Sequence, residues 1–161
     1  MRQEDAYRFP RIFIEGLRTS PSLKLLPQGC VEILTSSDGS CGEAIYEEAL
    51  RSILSLEKQI LEKKTCILTP AGEVLVAEKG TKARLQEIKG ARIALLVEEG
   101  EVVEEGEPVA QVLTGKGEVR TIRAGSSGIV FYIGCLPESQ PERCVLVIID
   151  EDGVRRQSLC R

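Results

Sequence analysis

The sequence predicts a mainly β protein, α+β overall, with one amphipathic helix in its N-terminal part. From Cys66 onward, short apolar runs alternate with glycine-containing turns at fairly even spacing, which is typical of a small barrel or sandwich. Residues 41–63 instead repeat their apolar positions with helical spacing. The chain has 161 residues, 42% of them hydrophobic and 29% charged, enough for one globular domain or for a small domain with an extension.

Residues 1–65 are predicted to form an αβ extension. The apolar patterns of FPRIFIEG, residues 9–16, and CVEILTS, residues 30–36, predict two strands, and SSDG ends the second as a turn. Ser40 and Glu43 have the spacing of a helix-capping box, and an apolar stripe follows them. We therefore predict a helix over about 41–63, packed on its own sheet or against a partner chain.

Residues 66–150 are predicted to be β-rich, followed by a polar tail at 151–161. Within this region Gly-Lys-Gly lies between two apolar β-runs, which predicts a hairpin with Lys116 on its crown. Such a lysine can be a surface charge, the end of a phosphate-binding loop or a cofactor-bearing residue. The phosphate-binding motif is excluded because it requires a longer glycine-rich loop, Gly-Lys-Ser/Thr and a following helix.

Composition narrows the classes of function. The chain has no histidine, which removes the commonest general base and the usual catalytic zinc ligand. Catalysis by Cys, Lys or a carboxylate stays open, but no such constellation is recognisable, so the sequence favours a protein that is not an enzyme. The net charge of −4 and the few aromatic residues give no basis for nucleic-acid binding. No apolar run approaches the roughly 20 residues of a membrane span. The charged N-terminal residues do not resemble a signal peptide, so we expect a cytoplasmic protein with no membrane partner.

Six cysteines are many for a cytoplasmic chain, and none forms a Cys-x-x-Cys pair that would indicate zinc. Two spacings suggest disulfides that close loops, Cys30 with Cys41 and Cys135 with Cys144. Intracellular disulfides occur in hyperthermophiles. The abundant Glu, Lys and Arg, with no Asn and a single Met, indicate a thermophilic protein. The alternative is six buried thiols, because free cysteine is among the most buried residue types.

The run GARIALLVEEGEVVEEGEPVAQVLTGK resembles the first half of a biotinyl/lipoyl-like domain, the barrel-sandwich hybrid. In that family a glycine opens the first strand, two glycine turns follow, and a further strand leads to a lysine that carries the prosthetic group. Gly90, Gly100, Gly106 and Lys116 match this spacing, and Gly128 matches the segment beyond the lysine. The resemblance implies the hybrid fold for the C-terminal β region and marks Lys116 as a candidate carrier lysine.

The flanks of this lysine depart from the family pattern. A biotin acceptor has Met-Lys-Met and a lipoyl acceptor Asp-Lys-Ala, whereas Gly115 and Gly117 flank Lys116, and the path from Lys116 to Gly128 is one residue longer. The chain also resembles an uncharacterised archaeal family whose C-terminal half is biotinyl/lipoyl-like. That resemblance implies a fold and a lineage without an activity.

Two functions follow as hypotheses. The first is a non-catalytic binding or assembly module on a biotinyl/lipoyl-like scaffold, without a cofactor, whose partner is another protein or a second copy of the chain. The second is a carrier of lipoate or biotin on Lys116. Its partners would be a ligase and a multi-subunit carboxylase or dehydrogenase.

Overall fold

The computed structural model describes residues 9–136 and 141–160, and these divide into two compact units. The first unit comprises residues 9–82 and 152–160, and the second comprises residues 83–151. The second unit is thus inserted into the chain of the first. The described part of the chain is mainly β, as the sequence predicts.

The first unit is a closed seven-stranded barrel with strand order β1-β4-β2-β3-β16-β8-β7. Its strands, together with two short ones outside the barrel (β5 and β6), are β1 Arg11–Glu15, β2 Ser22–Leu25, β3 Cys30–Leu34, β4 Cys41–Ala44, β5 Leu54–Ser55, β6 Ile60–Leu61, β7 Thr65–Leu68, β8 Glu73–Ala77 and β16 Arg155–Leu159. Neighbouring barrel strands are antiparallel except β16 and β3, which run parallel. One buried core cluster of this unit contains Phe13, Leu23, Val31, Cys41, Cys66, Leu68, Val74 and Val76.

The predicted helix over 41–63 is wrong. Residues 41–44 form β4, a 3-10 turn covers Tyr46–Glu48, helix α1 covers only Leu50–Ile53, and the β5–β6 hairpin follows. Most helical stability comes from tertiary packing rather than from local propensity. Residues 41–44 instead form backbone hydrogen bonds with β1 and β2, and these bonds would be lost if the segment were helical. Among the described residues, no helix is long and apolar enough to cross a membrane.

The supposed capping box has another role. The Glu43 carboxylate accepts two hydrogen bonds from the Arg11 guanidinium, from Nε at 2.8 Å and from Nη2 at 2.9 Å. This bidentate ion pair links the side chains of two adjacent antiparallel strands, β1 and β4. Glu43 therefore stabilises the barrel wall instead of a helix N-terminus.

Half of the described residues of the predicted polar tail at 151–161 form a barrel strand. A 3-10 turn over Glu151–Gly153 leads into β16, which pairs with β8 and β3 and so closes the barrel. Side-chain ion pairs join Arg155 to Glu78 at 2.9 Å and Arg156 to Glu73. Arg161 lies outside the described residues.

The second unit contains a three-stranded and a four-stranded antiparallel sheet, of order β10-β12-β13 and β11-β14-β15-β9. Its strands are β9 Arg84–Gly90, β10 Arg92–Leu95, β11 Val102–Val103, β12 Pro108–Leu113, β13 Val119–Arg123, β14 Gly128–Leu136 and β15 Glu142–Ile149. Buried residues of both sheets share one core, with Val109, Val112, Val130 and Leu146 among its members. The pairing of Arg84 with Ile148 places the two ends of this unit side by side, which suits an insertion between β8 and β16.

Candidate functional site

The Gly-Lys-Gly segment forms the tip of the β12–β13 hairpin, as its pattern predicts. The last strand pair is Leu113 with Val119, and the five residues between them make the loop. Lys116 lies at the centre of this loop and is exposed. The hairpin therefore presents the lysine away from the core of the second unit.

Hydrogen bonds from within the loop fix its shape. The Thr114 hydroxyl oxygen accepts from the backbone N–H of Lys116 at 3.3 Å and of Glu118 at 3.1 Å. The Thr114 N–H donates to the Glu118 carbonyl at 2.8 Å, and the Gly117 N–H donates to the Thr114 carbonyl at 3.0 Å. Thr114 thus organises the backbone on both sides of Lys116, which gives the lysine a defined base.

The ammonium group of Lys116 has no ion pair among the described residues, whereas the charges of Glu118 and Arg120 pair with each other at 3.8 Å. The side chain is therefore free to be a contact or a point of modification. A lone exposed lysine is also the commonest kind of surface charge.

A shallow apolar groove of about 300 Å³ begins at the base of the hairpin, on the β10-β12-β13 sheet. Val119 is 67% exposed and Leu113 37% exposed, which is high for apolar side chains within strands. Arg92 stands opposite Leu113 in the neighbouring strand and supplies a charge at the groove. The complete lining is Arg92, Ile93, Ala94, Gln111, Val112, Leu113 and Val119.

The predicted turn glycines fall into two groups. Gly100 and Gly106 lie in turns with φ of +97° and +93°, a region that favours glycine. Gly90 and Gly128 instead stand at strand ends, the former closing β9 and the latter opening β14. At Gly90 the need is space, since a Cβ there would lie 2.9 Å from the Val112 Cβ, whereas Gly128 combines close neighbours with a φ of +148°.

One of the two predicted disulfides is present, and the other is replaced by a different pairing. Cys135 and Cys144 are joined across β14 and β15, where they face each other. Cys30 is bonded to Cys160, so the predicted Cys30–Cys41 disulfide is wrong. In the barrel β3 neighbours β16, whereas β2 separates it from β4, which carries Cys41.

A polar cavity of about 340 Å³ lies between the β1–β2 and β3–β4 loops of the first unit, with Arg18, Ser37, Asp38 and Ser40 in its wall. The Asp38 carboxylate accepts a hydrogen bond from the Ser36 hydroxyl at 3.0 Å. The Asp38 backbone N–H donates a hydrogen bond to the Ser36 hydroxyl oxygen at 3.3 Å. These bonds stabilise the loop itself. Across residues 9–136 and 141–160, no group of three or more Cys, Asp or Glu side chains is arranged to hold a metal ion.

Replacing Gly117 by Ala should destabilise the hairpin tip by about 1–2 kcal/mol, because its φ of +84° is unfavourable for a residue with a Cβ. Gly115→Ala is the matched control, since a Cβ there meets no atom within 4 Å and its φ is not positive. Thermal unfolding of both variants measures the difference. Equal losses of stability would contradict the structural role given to Gly117.

Residues 7–151 match the model of DUF2118, a family described as an uncharacterized protein conserved in archaea. The match covers most of the chain, including the barrel strands up to β8 and the whole second unit. No curated protein matches the sequence.

Proposed function

The chain belongs to this uncharacterised archaeal family, and we propose that it is a non-catalytic binding or assembly module whose second unit is a biotinyl/lipoyl-like scaffold. The observation that carries the proposal is the Lys116 hairpin, an exposed and internally hydrogen-bonded loop beside an apolar groove. A surface of this kind presents one fixed shape to a partner, which lowers the entropy cost of binding.

Three features support the scaffold. The second unit has two antiparallel sheets around a shared core, the general construction that the resemblance implies. Turn glycines at Gly100 and Gly106 precede the strand that leads to Lys116, in the expected order. The lysine lies at a hairpin tip, as it does in that family.

The chemistry of the surface defines the partner. Leu113 and Val119 provide apolar area at the base of the hairpin, and Lys116 and Arg92 provide positive charge around it. A protein segment that places an apolar side chain in the groove and a carboxylate near a lysine or arginine fits this pattern. Among the strands of the described residues, β13 has one neighbour, β12, so its other edge can also pair with an extended segment.

A carrier of lipoate or biotin is the second candidate, favoured by the exposed Lys116, whose ammonium group makes no ion pair with any other residue that the structure describes. After loss of its proton, the Nζ atom would attack the carboxyl carbon of an acyl adenylate held by a ligase. An amide bond would form and AMP would leave. The hairpin would then carry the group to a carboxylase or dehydrogenase.

Intact-mass measurement of the protein from an archaeal host, with peptide mapping of residues 101–130, separates the two candidates. The binding module predicts an unmodified Lys116. The carrier predicts a mass increase equal to the prosthetic group less water, absent from Lys116→Arg. An adduct on Lys116 would overturn the first candidate, and a bare lysine in every preparation would overturn the second.

The binding role has its own test. Val119→Asp and Lys116→Glu should each weaken the complex with the co-purifying partner at least about tenfold, a loss of about 1.4 kcal/mol. Lys79→Glu is the matched control, because Lys79 is exposed in a Lys-Gly turn of the first unit. Affinity is measured with the purified partner. Equal weakening by the control, or none by the hairpin variants, would remove the hairpin from the interface.

A further inference from the structure

The groove at the base of the Lys116 hairpin carries positive charge that is not compensated. Arg92 is exposed in the wall of the groove, and Lys116 is exposed at the tip of the hairpin that begins there. Neither side chain makes an ion pair with any other residue in the described part of the chain. A partner that covers the apolar side chains of Leu113 and Val119 is therefore favoured if it also brings carboxylates to the rim.

The second unit itself contains a segment with this chemistry. Residues 98–107, EEGEVVEEGE, include six glutamates and no basic residue, and we call them the acidic segment. The Arg123 guanidinium donates a hydrogen bond to the Gly106 carbonyl at 3.0 Å, which leaves the charge of the segment strongly negative. Five of its carboxylate side chains are exposed and make no ion pair with a described residue, those of Glu98, Glu101, Glu104, Glu105 and Glu107.

An apolar side chain is exposed within the acidic segment. Val102 is 48% exposed, whereas its neighbour Val103 is buried. Val102 lies on β11, which has one neighbour, β14, among the strands that the structure describes. The acidic segment therefore combines an exposed valine, flanking carboxylates and an open strand edge, which are the features that suit the groove.

The acidic segment cannot reach the groove of its own chain. β12 begins at Pro108, directly after the segment, and ends at Leu113, in the groove. A strand of this length extends over roughly 17–20 Å. The Gly106 N–H donates to the Ala124 carbonyl at 2.9 Å, which holds the segment at the end of β13 that lies away from Val119. A contact between the two surfaces therefore joins two copies of the chain.

We propose that the groove binds the acidic segment of a second copy of this chain, so that copies associate head to tail through their second units. The inference rests on the binding role proposed above for the groove and names its occupant. Val102 of one copy contacts Leu113 and Val119 of the next, and the carboxylates around it pair with Arg92 and Lys116. The apolar contact excludes water at the centre of the interface, and the charges at its rim determine the orientation.

Charge disfavours a symmetric dimer through the same surface. Two grooves placed face to face would bring Arg92 and Lys116 of both copies together, and like charges across an interface repel each other. A head-to-tail contact instead uses two different surfaces of each copy. Its products are rings or open chains, and an open chain keeps one free groove and one free acidic segment at its ends.

Sedimentation velocity of the full chain over a range of protein concentrations tests the proposal. We expect oligomers at about 0.01 M salt and monomers at about 1 M salt, because the Debye length falls from about 30 Å to about 3 Å. A chelator in both buffers prevents metal ions from bridging carboxylates. A wild type that stays monomeric in both buffers would overturn self-association. It would leave the binding role of the hairpin intact, because the affinity for the co-purifying partner tests that role separately.

Reversal of charge in the acidic segment gives the second measurement. Glu104→Lys/Glu105→Lys should weaken self-association at least about tenfold at low salt. Glu47→Lys/Glu48→Lys is the matched control, since it makes the same change of charge at two adjacent exposed glutamates of the first unit. Equal weakening by both variants would mean that net charge alone governs association, and it would overturn the proposed contact.

A mixture of two variants tests the head-to-tail geometry. Val102→Asp and Val119→Asp each damage one of the two surfaces, so each variant alone should be monomeric. Each keeps the other surface, so an equimolar mixture should form a one-to-one complex and nothing larger. This recovery also shows that both variants are folded. A mixture that stays monomeric although circular dichroism shows two folded variants would overturn the pairing of groove and acidic segment.

Discussion

Replacing Cys30 and Cys160 together by serine should lower the free energy of unfolding by about 4–5 kcal/mol, because the bond closes a very long loop. The two residues are 130 positions apart in the chain. In the chain-entropy description, the conformational freedom that a cross-link removes from the unfolded state grows with loop length. The same bond holds β16 next to β3, where only two residue pairs, Ser158 with Cys30 and Leu159 with Val31, join the parallel strands.

The second disulfide is the matched control. Cys135 and Cys144 are 9 positions apart, so their replacement by serine should cost no more than about 3 kcal/mol. Denaturant unfolding of both double variants and of the oxidised wild type measures the difference. A larger loss from the short loop than from the long one would contradict the entropic explanation.

Gly128→Ala should destabilise the second unit by at least about 3 kcal/mol, which combines backbone strain with overpacking. The glycine has φ of +148°, and an added Cβ would strike the Ile149 carbonyl oxygen, with Ile149 C at 2.9 Å and Ile148 Cγ2 at 3.0 Å. Two of these atoms are backbone of β15, which pairs with β14 at this point. Relief of the clash therefore requires separation of the two strands.

Gly125→Ala is the control for this variant, three residues earlier in the same connection. A Cβ there would lie 3.6 Å from Gln86 Oε1, an ordinary contact, and its φ is not positive. We expect a change within about 0.5 kcal/mol, as for an ordinary surface substitution. Similar unfolding midpoints for the two variants would mean that strands β14 and β15 can move apart at Gly128 at little cost.

Local features were predictable where the responsible residues are close in sequence. Gly-Lys-Gly between two β-runs identified the hairpin at Lys116, since a tight turn is determined by its own residues and their flanks. The same holds for Cys135 and Cys144, whose short separation brings them together across one strand pair. The mainly β character followed from the even spacing of turns.

Predictions failed where distant residues decide the structure. The apolar spacing of 41–63 is helical, but strand partners for 41–44 come from residues 12–15 and from 22–23. Cys30 selects Cys160 over the nearer Cys41 because β16 is its strand neighbour. The local sequence around residues 41–63 and around Cys30 does not specify which distant strand each will pair with.

By itself the sequence determined the β-rich class, the lysine hairpin and two of the four predicted turn glycines, Gly100 and Gly106, because periodicity and turn chemistry are properties of adjacent residues. Only the tertiary structure decided that residues 83–151 interrupt the chain of the barrel unit, that β16 closes the barrel, and that Cys41 and Cys66 belong to one buried core cluster. Closure of a barrel pairs strands far apart in the chain. Which of these strands pair with each other depends on packing and hydrogen bonding that exist only once the whole sheet has formed.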